Sequence, residues 1–295
     1  MIRRWRQAKP GQEPSLSIVV AVYNKARDLE LCLEGYSHQS FLNFELILAD
    51  DGSNPDIEAL VKRHAQSAPY PITYLWQEDK GWGKPRMLNW AALEARAERL
   101  VFTDGDCIPH RHFARAHHQE SSSDTASCGR RVDLFDKVSA EMTIEKVKTG
   151  ALESPLWLLN KAVSHEIDFG QQGIYLPYIM ARTLTAFYRA PRLLGSNMGV
   201  HKQKLLEVNG FDESFNVAGV GEDTDMQRRF EMAGLKVKWI TYRAVQYHLW
   251  HNLTTVGEQA HKIYEDLKSK NNMNAIKGIR EFQPEWESYR RPSNS

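Results

Sequence analysis

The sequence predicts an α/β protein, a mixed and mostly parallel sheet flanked by helices, with a C-terminal helical extension. Three observations carry that expectation. Apolar runs alternate with helical patterns from Leu16 to about Asp106, the order that builds a parallel sheet covered by helices. The 295 residues suit one large α/β domain or two modest ones. The chain is 42% hydrophobic and 25% charged, with 38 Lys plus Arg against 37 Asp plus Glu for a net +1, the composition of an ordinary globular protein. The same balance argues against nucleic acid as a partner and against disorder.

The elements follow in order. Ser17 to Asn24 (SIVVAVYN) reads as a buried strand, and Asp28 stands at an N-cap position ahead of the helical LELCLEGYSHQ. Phe44 to Asp50 (FELILAD) is the second strand, stopped by an Asp-Gly-Ser-Asn-Pro turn, and DIEALVKRHA follows as an amphipathic helix. Ile72 to Gln77 is the third strand. After Gly81-Trp82-Gly83, Pro85 suits a first helical turn, and Met87, Trp90 and Ala91 make an apolar stripe leading to the fourth strand, Arg99 to Asp104. In the second half, SCGRRVDLF around Cys128 is expected as a strand, Glu153 to Ala162 as a helix and Ser196 to His201 as a strand. Glu222 to Ala233 is expected as a helix with Met226, Phe230 and Ala233 on one face, and Leu235 to Thr241 as the last strong strand. Beyond about Gly257 the chain is charged and helical. Cys32, Cys107 and Cys128 have no CxxC spacing, so reduced thiols are expected. The opening MIRRWRQAKPGQEPS is positive but lacks the apolar core of a signal peptide. No stretch reaches the roughly 18 apolar residues of a membrane span. The nearest, Gly173 to Gly195, is broken by Arg182, Arg189, Arg192, Pro177 and Pro191.

The chemistry-bearing residues collect at strand ends. Asp104-Gly105-Asp106 directly follows an apolar strand, and two carboxylates so spaced can hold a hard divalent cation such as Mg²⁺ or Mn²⁺. Asp50-Asp51-Gly52-Ser53 ends the second strand and Tyr23-Asn24-Lys25 the first, so aromatic, amide and carboxylate groups converge where open α/β sheets bind ligands. An aromatic face can stack on a base, a carboxylate can accept from a base N–H, and a metal can hold a diphosphate. Neither GxGxxG nor GxxxxGK[ST] is present, which argues against dinucleotide and P-loop sites. Gly219-Val220-Gly221-Glu222-Asp223-Thr224-Asp225 opens a helix. Its acids suit the helix dipole, and Asp225 can pair with Arg229 one turn on, yet three acids in four residues after two glycines also suit a carboxylate presented to a cleft. His248 and His251 follow the last strand region as candidate metal ligands.

These segments, SIVVAVYNK, FELILADDGSNPD, Gln77 to Gly81, VFTDGDCIP, GSNMGVHKQKLLEVNGFDE and GEDTDMQRR, resemble in that order the family 2 glycosyltransferases of GT-A (Rossmann-like) fold, over roughly Ser15 to His251. The second half resembles the β-1,4-galactosyltransferases and domains of chondroitin-polymerase type. The resemblance implies a basic tail over 1–15, a GT-A domain over 16–256 and a helical extension over 257–295. Within the domain it implies a nucleotide-binding half, 16–106, and an acceptor-binding half, 107–256. It implies that Ala21 and Tyr23 line the base pocket, that Asp51 binds uracil, and that Asn24, Lys84, Arg86 and Asp104 belong to the nucleotide-binding set. Asp104 and Asp106 match the DxD that holds Mn²⁺ or Mg²⁺, with His248 or alternatively His251 as a further ligand. Asp223 matches the catalytic base of inverting members, Glu222 contacts the acceptor, and Trp82 is placed on the acceptor side. One departure is Gly219, where the galactosyltransferase branch has Trp three residues before the Glu.

The implied activity is inverting transfer of a sugar from a nucleoside-diphosphate donor, UDP-linked by the resemblance, to a hydroxyl of a glycan or a lipid-linked, lipopolysaccharide-type glycan. A haloacid-dehalogenase-like phosphohydrolase also fits an apolar strand ending in DxD, but that reading needs the motif on the first strand, and three strand signals precede it. A non-catalytic nucleotide-sugar binder would ordinarily have lost a carboxylate from one of the motifs, and none is lost. A cytoplasmic setting is expected. Arg3, Arg4, Arg6 and Lys9, near Trp5 and with no acid among the first ten residues, also suit peripheral contact with the inner face of a membrane at roughly 1 kcal/mol per basic residue.

Overall fold

The structure, a computed structural model, describes residues 1–6, 13–188, 190–217, 221–252 and 257–290. Its strands are β1 (Ile2–Arg6), β2 (Ser17–Val22), β3 (Glu45–Asp50), β4 (Ile72–Trp76), β5 (Arg99–Asp104) and β6 (Cys107–Pro109) in the first part of the chain. There follow β7 (Thr125–Cys128), β8 (Arg130–Leu134), β9 (Ile167–Asp168), β10 (Asn197–His201), β11 (Lys236–Trp239) and β12 (Val245–His248). Eight strands form one mixed sheet in the order β1-β4-β3-β2-β5-β10-β7-β11, and four form a second in the order β6-β12-β8-β9. Strands β4, β3, β2 and β5 are mutually parallel, so their carboxyl ends share one edge.

The central strands read as continuous apolar runs because both of their faces are covered. Ile18 and Val20 of β2 face Leu29, Leu33 and Tyr36 of the helix Ala26–Ser37 and Ile57 and Val61 of the helix Pro55–Ala65. Val19 faces the opposite side, with Met87 and Ala91 of the helix Lys84–Glu94 and Met226 and Phe230 of the helix Glu222–Met232. A third cluster under the small sheet joins Leu31 and Cys32 to Val132, Leu134 and Tyr247.

Several elements differ from expectation. Residues expected within a basic tail form the edge strand β1, antiparallel to β4, with Trp5 stacked on Tyr74 at 5.2 Å between ring centroids. Arg3 pairs with Glu58 and Arg4 with Glu94, so charged side chains here serve an edge strand, where they are well tolerated. Lys9 lies outside the described residues. The segment around Cys128 is two strands, β7 and β8, placed in different sheets on either side of Gly129. A side chain at Gly129 would lie 2.4 Å or less from the Asn197 amide. Strands β6 and β12, three and four residues long, are not among the expected strands. Asp28 is not a cap: the helix begins at Ala26 behind Lys25, which has φ 54°, and Asp28 stands in its first turn. The extension packs into the fold, Trp286 and Tyr289 of the helix Ile279–Arg290 lying against Trp90 at 5.5 and 4.4 Å.

Candidate active site

Because β2, β3, β4 and β5 run in parallel, Tyr23, Asp51, Gln77 and Asp104 leave the sheet at neighbouring positions. Asn24 and Lys25 both take left-handed backbone, φ 52° and 54°, and turn the chain sharply at this edge. Asp50 is buried and structural, accepting from the Tyr74 hydroxyl at 2.6 Å and the Ser53 N–H at 2.7 Å. Asp51 accepts from Gln77 Nε2 at 2.5 Å and from the Gly83 N–H at 2.7 Å. Burial raises its carboxyl above the ordinary range, and those two donors offset part of the shift. A Cβ at Gly83 would sit 2.6 Å from that carboxylate, so the close approach requires glycine. Tyr23 is 53% exposed, with its hydroxyl donating to Asp79 at 3.0 Å, which leaves the ring face in solvent. Asn24 is tied to the next loop, its N–H on Ser53 Oγ and its Oδ1 accepting from the Asn54 N–H.

The two DxD carboxylates each carry a lysine. Lys25 Nζ lies 3.0 Å from Asp106, and Lys84 Nζ lies 2.9 Å from Asp104 and 3.3 Å from Glu222. Burial alone would lower the Lys84 ammonium, but the Asp104 and Glu222 carboxylates outweigh it and hold the pKa above its ordinary value. Burial raises the Glu222 carboxyl against the pull of Lys84. His248 Nε2 and His251 Nε2 lie 3.7 and 3.4 Å from the Asp106 carboxylate, so the structure brings both histidines to the motif. Burial opposes ionisation of Asp106, yet His248, Lys25 and His251 together hold its pKa low.

The reason for this convergence is strand register. β12 lies between β6 and β8, which sets His248 opposite Cys107 on one side and Asp133 on the other. Asp133 Oδ1 is 3.1 Å from His248 Nδ1 and 2.9 Å from Arg131 Nε. A carboxylate on Nδ1 fixes the imidazole so that Nε2 faces Asp106, an arrangement that metal-binding histidines share. Asp106 with the imidazoles of His248 and His251 makes one cluster that fits a hard or borderline divalent cation, and Asp106 with Asp104 and Cys107 makes a second. The Cys107 thiol lies beside Asp104 and Asp106, and burial pushes its pKa well above the ordinary thiol value.

At the start of the helix Glu222–Met232 the three acids separate. Asp225 is buried and pairs with Arg228 at 2.8 Å and Arg229 at 2.7 Å. Glu222 faces Lys84. Asp223 receives the Gly195 N–H at 3.5 Å and the Thr224 N–H at 2.8 Å, and among the described residues it forms no ion pair. Gly219 lies outside the described residues.

Arg86, expected in the nucleotide-binding set, lines a pocket with Gln77 and Trp82, and its guanidinium pairs with Glu213 and Glu285 and stacks on Phe282, joining the C-terminal helix to the helix Lys84–Glu94. Residues that sequence reasoning missed are Lys25 as the partner of Asp106, Gln77 as a donor to Asp51, and the Arg131–Asp133 pair behind His248. Arg131 and Asp133 stand two apart on one strand, which puts them on the same face, but nothing local announces the neighbouring strand.

The family model "Glycosyl transferase family 2" matches residues 17–162, and the model "N-terminal domain of galactosyltransferase" matches residues 177–252. The chain belongs to the family 2 glycosyltransferases. It is 25% identical over 246 residues to a chondroitin synthase from Escherichia coli, a match that covers 79% of this chain and 34% of that protein. It is 26% identical over 102 residues to the glycosyltransferase AglE of Haloferax volcanii, covering 34% of this chain and 33% of the relative. The chain thus spans about a third of the length of these relatives. Among solved structures, the mannosyltransferase PcManGT of Pyrobaculum calidifontis, bound to GDP-Man and Mn²⁺, superposes with a TM-score of 0.56 at 17% identity, covering 95% of this chain and 70% of that one. TarS 1-349 of S. aureus in complex with UDP superposes with a TM-score of 0.57 at 16% identity, covering 90% of this chain and 68% of that one. The fold of this glycosyltransferase is GT-A, and its second half carries the galactosyltransferase-like segment. A haloacid-dehalogenase reading is thereby set aside. Among the described residues, no helix is long and apolar enough to cross a membrane.

Proposed function

We propose that this chain is an inverting, metal-dependent glycosyltransferase that moves a sugar from a UDP-linked donor to a hydroxyl of a glycan or lipid-linked glycan. The observation that carries the reading is the pairing of two unlike carboxylate environments, joined where Lys84 bridges Asp104 and Glu222. Asp106 faces two imidazoles and a lysine, while Asp223 stands without a cation among the described residues. The first environment suits a metal on the donor diphosphate. The second suits a base free to take a proton.

In this reading Tyr23 stacks on the base and Ala21 lines its pocket. The two Asp51 oxygens each accept one protein donor and keep lone pairs for a uracil N–H. Asp104, Asp106 and His248, with His251 beside it, hold a divalent ion, which when bound would neutralise the leaving diphosphate. Lys84 links the donor carboxylate Asp104 to the acceptor-side Glu222 and keeps positive charge between them. Glu222 orients the acceptor hydroxyl, and Asp223 accepts its proton as the new glycosidic bond forms. Trp82 supports the acceptor side: its buried Nε1 has no partner among the described residues and can donate to a sugar hydroxyl. The Mn²⁺ and GDP-Man in the PcManGT structure and the UDP in the TarS structure are compatible with this reading but do not select the base.

A donor screen following nucleoside diphosphate release, with Mn²⁺ and with EDTA, tests the class. Calorimetry with UDP, GDP and CDP tests the base, and proton NMR of the product anomer tests the stereochemistry. UDP should bind best and EDTA should abolish transfer. Tighter binding of GDP, full activity in EDTA, or a retained anomer would each overturn the corresponding part.

A further inference from the structure

Outside the site, one stretch of the chain exposes apolar side chains to an unusual degree. Of the 17 large hydrophobic residues exposed among the described residues, 10 lie between Leu156 and Tyr188. Leu156, Leu159 and Val163 line one face of the helix Pro155–Val163 and are 78%, 62% and 70% exposed. The helix Tyr178–Thr185 buries only Ala181, while Ile179 and Met180 face outward, and Phe187 just beyond it is 85% exposed. A short helix in water normally gains its stability by burying an apolar face, and this one has little to bury it against within the chain. Exposed apolar surface of this extent marks a docking site.

Two further observations select the occupant. The first is charge. No acidic residue occurs between Asp168 and Glu207, whereas Arg182, Arg189 and Arg192 fall in that interval. Arg182 and Arg192 are exposed and form no ion pair among the described residues; Arg182 bonds only to the Tyr178 hydroxyl, at 2.9 Å. The second is satisfaction of polar groups. Thr183 and Thr185 turn their hydroxyls back onto the carbonyls of Ile179 and Ala181, each at 2.9 Å, and the Tyr188 hydroxyl is held by Tyr242. Such a helix enters an apolar medium without stranding a side-chain hydroxyl. Apolar residues with tyrosines and unpaired arginines, and no carboxylates, are the pattern of an interfacial helix on anionic lipid.

We propose that the helix Tyr178–Thr185, together with Phe187, forms a docking face for an anionic lipid bilayer. This places membrane contact away from Arg3 and Arg4, whose charges are met by Glu58 and Glu94. The docking face is independent of which sugar is moved.

The test is flotation of the full chain with vesicles of phosphatidylcholine alone and of phosphatidylcholine mixed with phosphatidylglycerol. The protein should float with the mixed vesicles and less with phosphatidylcholine. Ile179→Ser combined with Phe187→Ser should lower the partition coefficient about tenfold or more, because both side chains are lost from the inserted area. Arg182→Gln or Arg192→Gln should lower it about fivefold each, on mixed vesicles only. All four positions are exposed, so circular dichroism should be unchanged. Absence of flotation on either lipid, or flotation indifferent to all these substitutions, would overturn the proposal. So would a wild-type dimer in sedimentation that the Ile179 and Phe187 substitutions dissociate, since a second copy would then own the face.

Discussion

The three acids at the start of the helix Glu222–Met232 offer a separation of roles that a single substitution type can read. Asp225→Asn removes a charge from a group that is 1% exposed and lies 2.7 Å from Arg229, itself 1% exposed. Arg229 keeps the Val208 and Gly210 carbonyls at 2.9 and 2.7 Å, but these are neutral, and its Nη2 already lacks a partner among the described residues. A guanidinium cannot shed its proton to escape, so the cost falls on stability. Breaking a buried pair from one side typically costs ~3–5 kcal/mol, and because Asn retains one acceptor the lower end, ~3 kcal/mol, is expected. Asp223→Asn keeps a hydrogen-bond acceptor at a partly exposed helix start and loses only the dipole interaction, ~0.3–1 kcal/mol. If Asp223 is the general base, the same change lowers turnover ~10²–10⁴-fold with donor binding retained. Urea unfolding followed by far-UV circular dichroism, beside nucleotide release on matched samples, reads both quantities. The assignment is refuted if Asp223→Asn turns over normally while Asp225→Asn is stable and inactive.

Three other outcomes follow from the same geometry. Asp133→Ala frees the His248 ring and should weaken Mn²⁺ binding ~10–100-fold by electron paramagnetic resonance titration; an unchanged affinity would remove His248 from the ligand set. Lys84→Met leaves Asp104 and Glu222 without their shared cation, so Mn²⁺ should raise the melting temperature more in the variant than in the wild type, and equal shifts would count against a metal beside Asp104. His117 is fully buried, its Nε2 donating to Asn197 Oδ1 at 3.0 Å, and burial lowers its pKa from 6.5 to about 4. The unfolded chain therefore binds this proton more tightly, so the contribution is present above pH 6.5 and is lost as pH falls toward about 4, amounting to ~3 kcal/mol. Urea midpoints at neutral pH and near pH 4.5 should differ accordingly, and a His117→Gln variant should show a shallower fall.

The sequence by itself determined the four parallel strands β2 to β5 and their shared edge almost completely. Each of β2 to β5 is a short apolar run ended by turn or acidic residues, and parallel strands joined by helices put those ends on one edge whatever the rest of the chain does. Asp51, Asp104 and Tyr23 therefore group together as a consequence of local pattern and chain direction. The helix Glu222–Met232 was likewise legible, including the Asp225–Arg229 pair, since a four-residue spacing on a helix is local geometry.

Tertiary structure decided everything that depends on which strand lies beside which. Gly129 divides what looked like one strand into members of two sheets, and β12 enters between β6 and β8 although only three residues of β6 pair with it. That placement, with sequence separations above one hundred residues, is what brings Asp133 and Asp106 to His248. The ion-pair partners of Arg86 could not be read from its position near Lys84, because Glu213 and Glu285 come from distant segments. Likewise the basic composition of the first residues resembles a free tail until β4 supplies an edge, and β1 then exchanges its solvent for backbone hydrogen bonds and for the Tyr74 ring. Periodicity reports which side of an element is apolar; only the assembled sheets fix which distant charge meets it there.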